Sequence, residues 1–273
     1  MSYTLYRPES IREAIALQQQ TGGNYLAGGT ISLVNYHRGV DIGASQISLD
    51  KIPELKKIVL KDGMLSVGAF VTMDELEQSG EVKKYAHALW QAASEIAGPQ
   101  VRNRATLGGN IAAAAPSADC VPPLLAMGAV LQITGAAGRR EIPVREFFLG
   151  RFQHVLTPDE IICMIRIPVQ SSAKSVFRKV GKRSALAVSC VNMALVRSEA
   201  GVAVAVGAAA PVPIFCRKTS EILSADVKCV GEAAAVLQTE ISPIDDRWAT
   251  ASFRRLVCEN LLYALLDETE VCQ

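Results

Sequence analysis

Two short stretches made of residues with almost no side chain constrain this sequence more than any other feature. LAGGTIS runs from Leu26 to Ser32 and TLGGNIAAAAPSADC from Thr106 to Cys120, with their diglycine steps 80 residues apart. Glycine costs backbone entropy in regular structure and alanine fills little volume, so neither stretch reads as the inside of a packed helix or strand. Something other than a side-chain core wants this space. Two such loops on one chain read as two walls of one site.

The sequence around them is that of a globular protein. Its 273 residues, 49% of them hydrophobic, suffice for a substantial core and suggest two modest domains. YTLYRPES reads as a short strand followed by a helix from near Ser10, with Ile11, Ala14 and Ile15 on one face. LKKIVLKDGMLSVGAF reads as a hairpin turning at Asp62-Gly63, and Thr72 and Glu75 have the spacing of a capping box. One longer helix is expected from about Glu81, burying Tyr85, Leu89, Ala92 and Ile96 and stopping at Gly98. An apolar helix at Pro123 to Ala129, strand VLQIT, a turn from Gly135 to Gly138 and strand EIICMIRIP follow the second loop.

The polar stretch from Pro168 to Lys174 reads as a junction, dividing the chain into 1–170 and 171–273. Beyond it, SVFRKV, VSCVNMALVR and GVAVAVGAAAP give three strands, and Ala251 to Leu266 a long terminal helix. Runs of strands and then helices, without regular alternation, indicate the α+β class in both parts.

A formal net charge of +1 gives no electrostatic footing for nucleic acid or a membrane surface. The longest apolar run, Val202 to Phe215, is too short for a membrane span and holds two prolines. Arg7, Glu9, Arg12 and Glu13 occupy the place of a signal peptide's apolar region, so a cytoplasmic location is expected. Seven cysteines without a C-x-x-C pair read as buried free thiols and not as a disulfide scaffold, a zinc site or an iron–sulfur cluster held by this chain. His37, His87 and His154 lack metal spacing, so no metal site is expected.

Common phosphate cradles do not fit. GNYLAGGT, Gly23 to Thr30, approaches the P-loop pattern but has Gly29 where the lysine belongs. None of the 20 glycines lies two positions from another, so no G-x-G of the dinucleotide fingerprint exists. What remains is the physics these motifs share: consecutive backbone amides converge on an anion, and a missing Cβ lets a pyrophosphate come close. Tight turns alone are the other reading of either loop.

GPQVRNRATLGGNIAAAAPSAD, Gly98 to Asp119, strongly resembles the signature of the FAD-binding subunit of molybdenum hydroxylases, the xanthine dehydrogenase and carbon monoxide dehydrogenase family. YLAGGTISL, Tyr25 to Leu33, resembles the first flavin loop of that family. FRKVGKRSALAV and GAAAPVPI extend the likeness over essentially the whole chain. The resemblance implies a PCMH-type FAD-binding domain of two α+β subdomains followed by a smaller C-terminal α+β domain.

Position by position, it implies that Leu26, Ala27, Gly28, Gly29, Thr30, Ile31 and Ser32 line the FAD pyrophosphate and that Thr106, Gly108, Gly109 and Asn110 close over it. It makes Ala97 and Ile162 further flavin contacts, places Asp119 on the adenosine ribose and puts Lys179 near the flavin ring. Ile31 departs from the family, which usually has an acid after G-G-T. From the residues alone, Asp119 also reads as the cap of the next helix and Lys179 as part of a solvated basic strand. Arg102 and Arg104 read as loop anchors or subunit contacts.

The resemblance further implies an electron-transfer role, with electrons from 2Fe-2S clusters on a partner subunit passing through FAD to NAD+ or another acceptor. A large molybdopterin subunit completes the assembly, with xanthine or hypoxanthine as its substrate. The alternatives are a non-catalytic binding or assembly protein that retained the fold, and a self-contained flavin reductase. Gly109→Val is expected to expel FAD while sparing the fold, with Gly28→Val acting alike.

Overall fold

The computed structural model describes residues 4–170, 172–183 and 186–271; Tyr3, Ser171, Ser184 and Ala185, which enter the sequence readings above, lie outside the described residues. Ser10 caps the helix Ile11–Thr21 by accepting from the Glu13 N–H, and the helix stops at Gly22 in the left-handed region. Ala14 and Ile15, its buried face, pack with Ile47, Leu49 and Ile52 and reach Ile161 and Cys163 of the next sheet.

The strands Thr4–Tyr6, Asn24–Leu26 and Ser45–Ser48 form a parallel sheet with the last in the centre. This opening stretch therefore does alternate strand with helix. Strands of three or four residues are too short to show a period, which hides the alternation in the sequence.

The second sheet is antiparallel, in the order Ile58–Lys61, Met64–Gly68, Ile161–Pro168, Val130–Gly135, Gly138–Pro143. Asp62 and Gly63 both take positive φ, 51° and 72°, as a two-residue hairpin turn requires. The capping box of Thr72 and Glu75 is present. The single helix expected from Glu81 is not: Ala86 leaves helical geometry and separates Gly80–Tyr85 from His87–Glu95. The second piece buries Ala88, Leu89, Ala92 and Ala93, while Ile96 falls beyond its end. The Ala88 N–H, released by the break, donates to Ser175 Oγ at 3.0 Å, a tertiary bond that local sequence cannot display.

The third sheet is antiparallel, with strands Lys174–Gly181, Ser189–Ser198, Gly201–Gly207 and Ile214–Phe215 in sequence order. Val191, Met193, Leu195, Val204 and Val206 face helices Arg217–Ala225, Val230–Glu240 and Ala251–Val271. Phe177, Ala194, Val196 and Ala205 face the other way, into the core that holds Leu89, Ala92 and Leu124. Burial on both faces explains why this strand is an unbroken apolar run and not an alternating one.

Candidate functional site

The first small-residue loop leaves the carboxyl end of the parallel strand Asn24–Leu26, the edge at which open parallel sheets place ligands. Gly29 turns the chain with φ 75°, and its carbonyl accepts the Leu33 N–H at 2.9 Å, the first bond of the helix that contains Ser32–His37. Among the described residues, the N–H groups of Ala27, Gly28, Gly29, Thr30, Ile31 and Ser32 meet no protein acceptor. A row of consecutive unpaired amides is what an acceptor-only pyrophosphate needs, and hydrogen bonds to a charged group contribute roughly 1.5–3 kcal/mol each. Ile31 is 50% exposed, so only its amide belongs to this row.

The second loop is built differently. Thr106, 2% exposed, caps the helix Leu107–Ala112 by accepting the Gly109 N–H at 3.1 Å. Met73 N–H donates to Ala105 O, Leu107 N–H to Val71 O and Gly108 N–H to Ala69 O, which zips the loop onto residues 69–73. Gly108 is thus buried with its amide committed, and a Cβ there would lie 2.6 Å from that of Ala69. Its packing brings the helix against the sheet. Asn110 differs from its neighbours. Its N–H is used within the helix, but its side-chain Oδ1 is buried without a partner among the described residues. That atom is an acceptor, so it suits a ribityl or ribose hydroxyl better than a phosphate.

The loops touch. A Cβ on Gly28 would overlap the carbonyl of Arg104, whereas one on Gly109 would lie 2.9 Å from Thr106 Oγ1 and 3.8 Å from the Ala27 Cβ. Gly28 and Gly109 are therefore not equivalent, contrary to the sequence expectation: one is needed for contact between loops, the other faces the gap between them. Ala97 is left-handed at φ 42°, and its carbonyl accepts from Arg102, whose Nε lies 2.9 Å from Glu77 Oε2. Arg102 is thus a loop anchor. Ile162 is 5% exposed, with its side chain in the core; its neighbour Cys163 accepts the Ala69 N–H at 3.1 Å, so the strand supports the second loop through Ala69.

Asp119 and Lys179 are brought together. Lys179 Nζ lies 2.9 Å from Asp119 Oδ2, with side chains 8% and 9% exposed. The resemblance placed Asp119 on the adenosine ribose and Lys179 near the flavin ring; the structure joins the two side chains in one buried ion pair. The carboxylate also accepts from Ser189 Oγ and Asn192 Nδ2, both at 2.6 Å. Neither Ser189 nor Asn192 was read as part of a site. The signal for Asn192 was present: it is the one amide in the apolar run VSCVNMALV.

This geometry agrees with comparison to known proteins. Residues 1–170 match the family of the FAD binding domain in molybdopterin dehydrogenase, and residues 176–269 match the CO dehydrogenase flavoprotein C-terminal domain. The chain belongs to the family of FAD-binding subunits of molybdenum hydroxylases. The xanthine dehydrogenase FAD-binding subunit of Escherichia coli O157:H7 is 30% identical, over 96% of this chain and 94% of that one. The nicotinate dehydrogenase FAD-subunit of Eubacterium barkeri is 29% identical over 73% of this chain and 71% of that one. A solved carbon monoxide dehydrogenase chain from Hydrogenophaga pseudoflava superposes with a TM-score of 0.92 at 27% identity, covering 98% of this chain and 96% of that chain. No helix among the described residues is long and apolar enough to cross a membrane.

Proposed function

We propose that this chain is the electron-transfer subunit of a cytoplasmic heterotrimeric purine dehydrogenase acting on a substrate such as xanthine. A 2Fe-2S subunit and a large molybdopterin subunit are its partners, and NAD+ or another acceptor takes up the electrons. The observation that carries the cofactor assignment is the unpaired amide row from Ala27 to Ser32 facing a loop that holds the orphan acceptor of Asn110. The purine preference is supported by the 30% identity to a xanthine dehydrogenase subunit along nearly the whole chain.

FAD, when bound, supplies the capacity to take up and pass on electrons. The chain's own residues hold it. Amides of Ala27 through Ser32 bind the pyrophosphate, and Asn110 Oδ1 accepts from a hydroxyl of the cofactor. Leu26 sets the start of the first loop, while Thr106 and Gly108 fix the position of the second. Gly109 keeps the gap open, and Ala97 presents backbone beside it. Division into domains 1–170 and 171–273 is part of the same proposal.

Purification of the tagged chain from its native cells tests the assembly. Copurifying cluster and molybdenum subunits, with xanthine bleaching the flavin only when all three are present, are the expected results. Bleaching by the chain alone contradicts the electron-transfer role, and assembly with substrate specificity for another heterocycle contradicts the purine assignment.

A further inference from the structure

The helix Ser32–His37 buries none of its six residues. Its surroundings are apolar all the same: Ile31, Leu33, Val34 and Val40 are 50%, 56%, 46% and 51% exposed. Local bonds shape it, from Leu33 N–H to Gly29 O, Asn35 N–H to Ile31 O, Arg38 N–H to Val34 O and Val40 N–H to Asn35 O, at 2.9 to 3.1 Å. A helix this short is marginal in water, and helices in folded proteins owe most of their stability to the face they pack. Single apolar side chains on a surface need no explanation. Four of them between residues 31 and 40, on an element with no buried side of its own, mark a contact surface.

Position and charge say what covers it. The first bond of the helix is to Gly29, and Ile31 belongs both to the amide row and to this surface. Electron transfer slows steeply with distance, so a chain that delivers electrons to FAD has to lie against the rim of the FAD site, which is where this surface stands. Between Ile31 and Val40 the sequence carries His37 and Arg38 and no carboxylate. Arg38 is exposed, as is Arg104, whose carbonyl lies where a Cβ on Gly28 would be, and neither has an ion-pair partner among the described residues. A cluster held by four cysteine thiolates carries net negative charge. An apolar patch with a cationic rim therefore complements a chain bearing such a cluster, whereas two copies of this chain about a two-fold axis would set like charge against like.

We propose that Ile31 to Val40 is the docking surface for the 2Fe-2S subunit, with Leu33, Val34 and Val40 at the apolar centre of the contact and Arg38 and Arg104 on its rim. The centre sets how long the partners stay together, and the rim sets how fast they meet. The inference rests on the electron-transfer reading and adds to it the face at which electrons enter.

The full chain with FAD bound is tested against the 2Fe-2S subunit by surface plasmon resonance, as wild type, as Val34→Glu and Val40→Glu made singly, as Arg38→Glu, and as Leu256→Glu. Leu256 serves as the control, being 56% exposed on the terminal helix. Flavin content and thermal stability stay at wild-type values in all four variants, since every altered side chain is exposed. Val34→Glu and Val40→Glu weaken binding by about tenfold or more, chiefly through faster dissociation. Arg38→Glu slows association at low salt, a difference that fades as salt is added, and Leu256→Glu changes neither rate. Undiminished binding by Val40→Glu, which lies beyond the helix and leaves the cofactor loop intact, overturns the docking surface. Loss of the large molybdopterin subunit, or of a homodimer, in place of the 2Fe-2S subunit also overturns it. A wild type that binds FAD but no 2Fe-2S subunit overturns the electron-transfer reading instead.

Discussion

At the scale of single residues, the small side chains of the two loops divide into distinct tasks with distinct penalties. Gly28→Ala places a methyl group on the Arg104 carbonyl, so it separates the loops; we expect a loss of about 1–3 kcal/mol in denaturant unfolding together with loss of bound flavin. Gly109→Ala loosens the Thr106 cap, worth about 1 kcal/mol, but gains about 1 kcal/mol of helix propensity, so its stability stays within about 1 kcal/mol of wild type. Asn110→Ala should separate function from stability most sharply. Removing an orphaned buried acceptor leaves the cofactor-free protein as stable or more stable by about 1 kcal/mol, while FAD affinity, read by equilibrium dialysis, falls at least tenfold. Gly28, Gly29 and Asn110 stood out in the sequence because small or amide residues there made poor sense as packing. That Gly108 packs against Ala69 was not legible, since a buried glycine and a ligand-facing glycine are the same letter.

At the scale of elements, the long-range bonds fix what local pattern leaves open. Arg254, 4% exposed, donates from the terminal helix to the carbonyls of Cys190 and Ala208 at 2.6 and 2.7 Å and to Asp246 at 2.7 Å. Arg254→Met strands these acceptors and should cost about 3 kcal/mol, measured as a lowered denaturation midpoint. The Arg140–Glu160 pair joins the edge strand Gly138–Pro143 to the approach of Ile161–Pro168 at 2.7 Å. Hydrogen bonding to Arg140 holds the Glu160 carboxyl below its usual range against the opposing effect of burial. A depressed carboxylate stabilises the fold above its unfolded pKa of about 4.3, and that contribution fades as pH falls through the lower folded value. Glu160→Gln should therefore flatten the acid side of the stability profile and leave its shape near pH 8 unchanged. The hairpin at Asp62-Gly63, the capping box and the helix start near Ser10 were all legible because their signals are local. The break at Ala86 was not, because Ser175, which makes it tolerable, lies far along the chain.

At the scale of the molecule, the α+β architecture follows from one core shared by two sheets, with the C-terminal sheet giving Phe177, Ala194 and Ala205 to the same cluster as Leu89 and Leu124. The sequence showed the strands but not that one of them is buried on both faces, so the closeness of the two halves emerged only in three dimensions. Asp119 and Lys179, 60 residues apart, illustrate it: each was visible as a candidate, their bond was not. The central claim is that the unpaired amides of the first loop are the FAD cradle. Hydrogen exchange of the whole chain with and without saturating FAD tests it most directly. Protection gained at Ala27 through Ser32, with a smaller gain across Thr106 to Asn110, is the predicted result; FAD binding that leaves the exchange of residues 27–32 unchanged would contradict it.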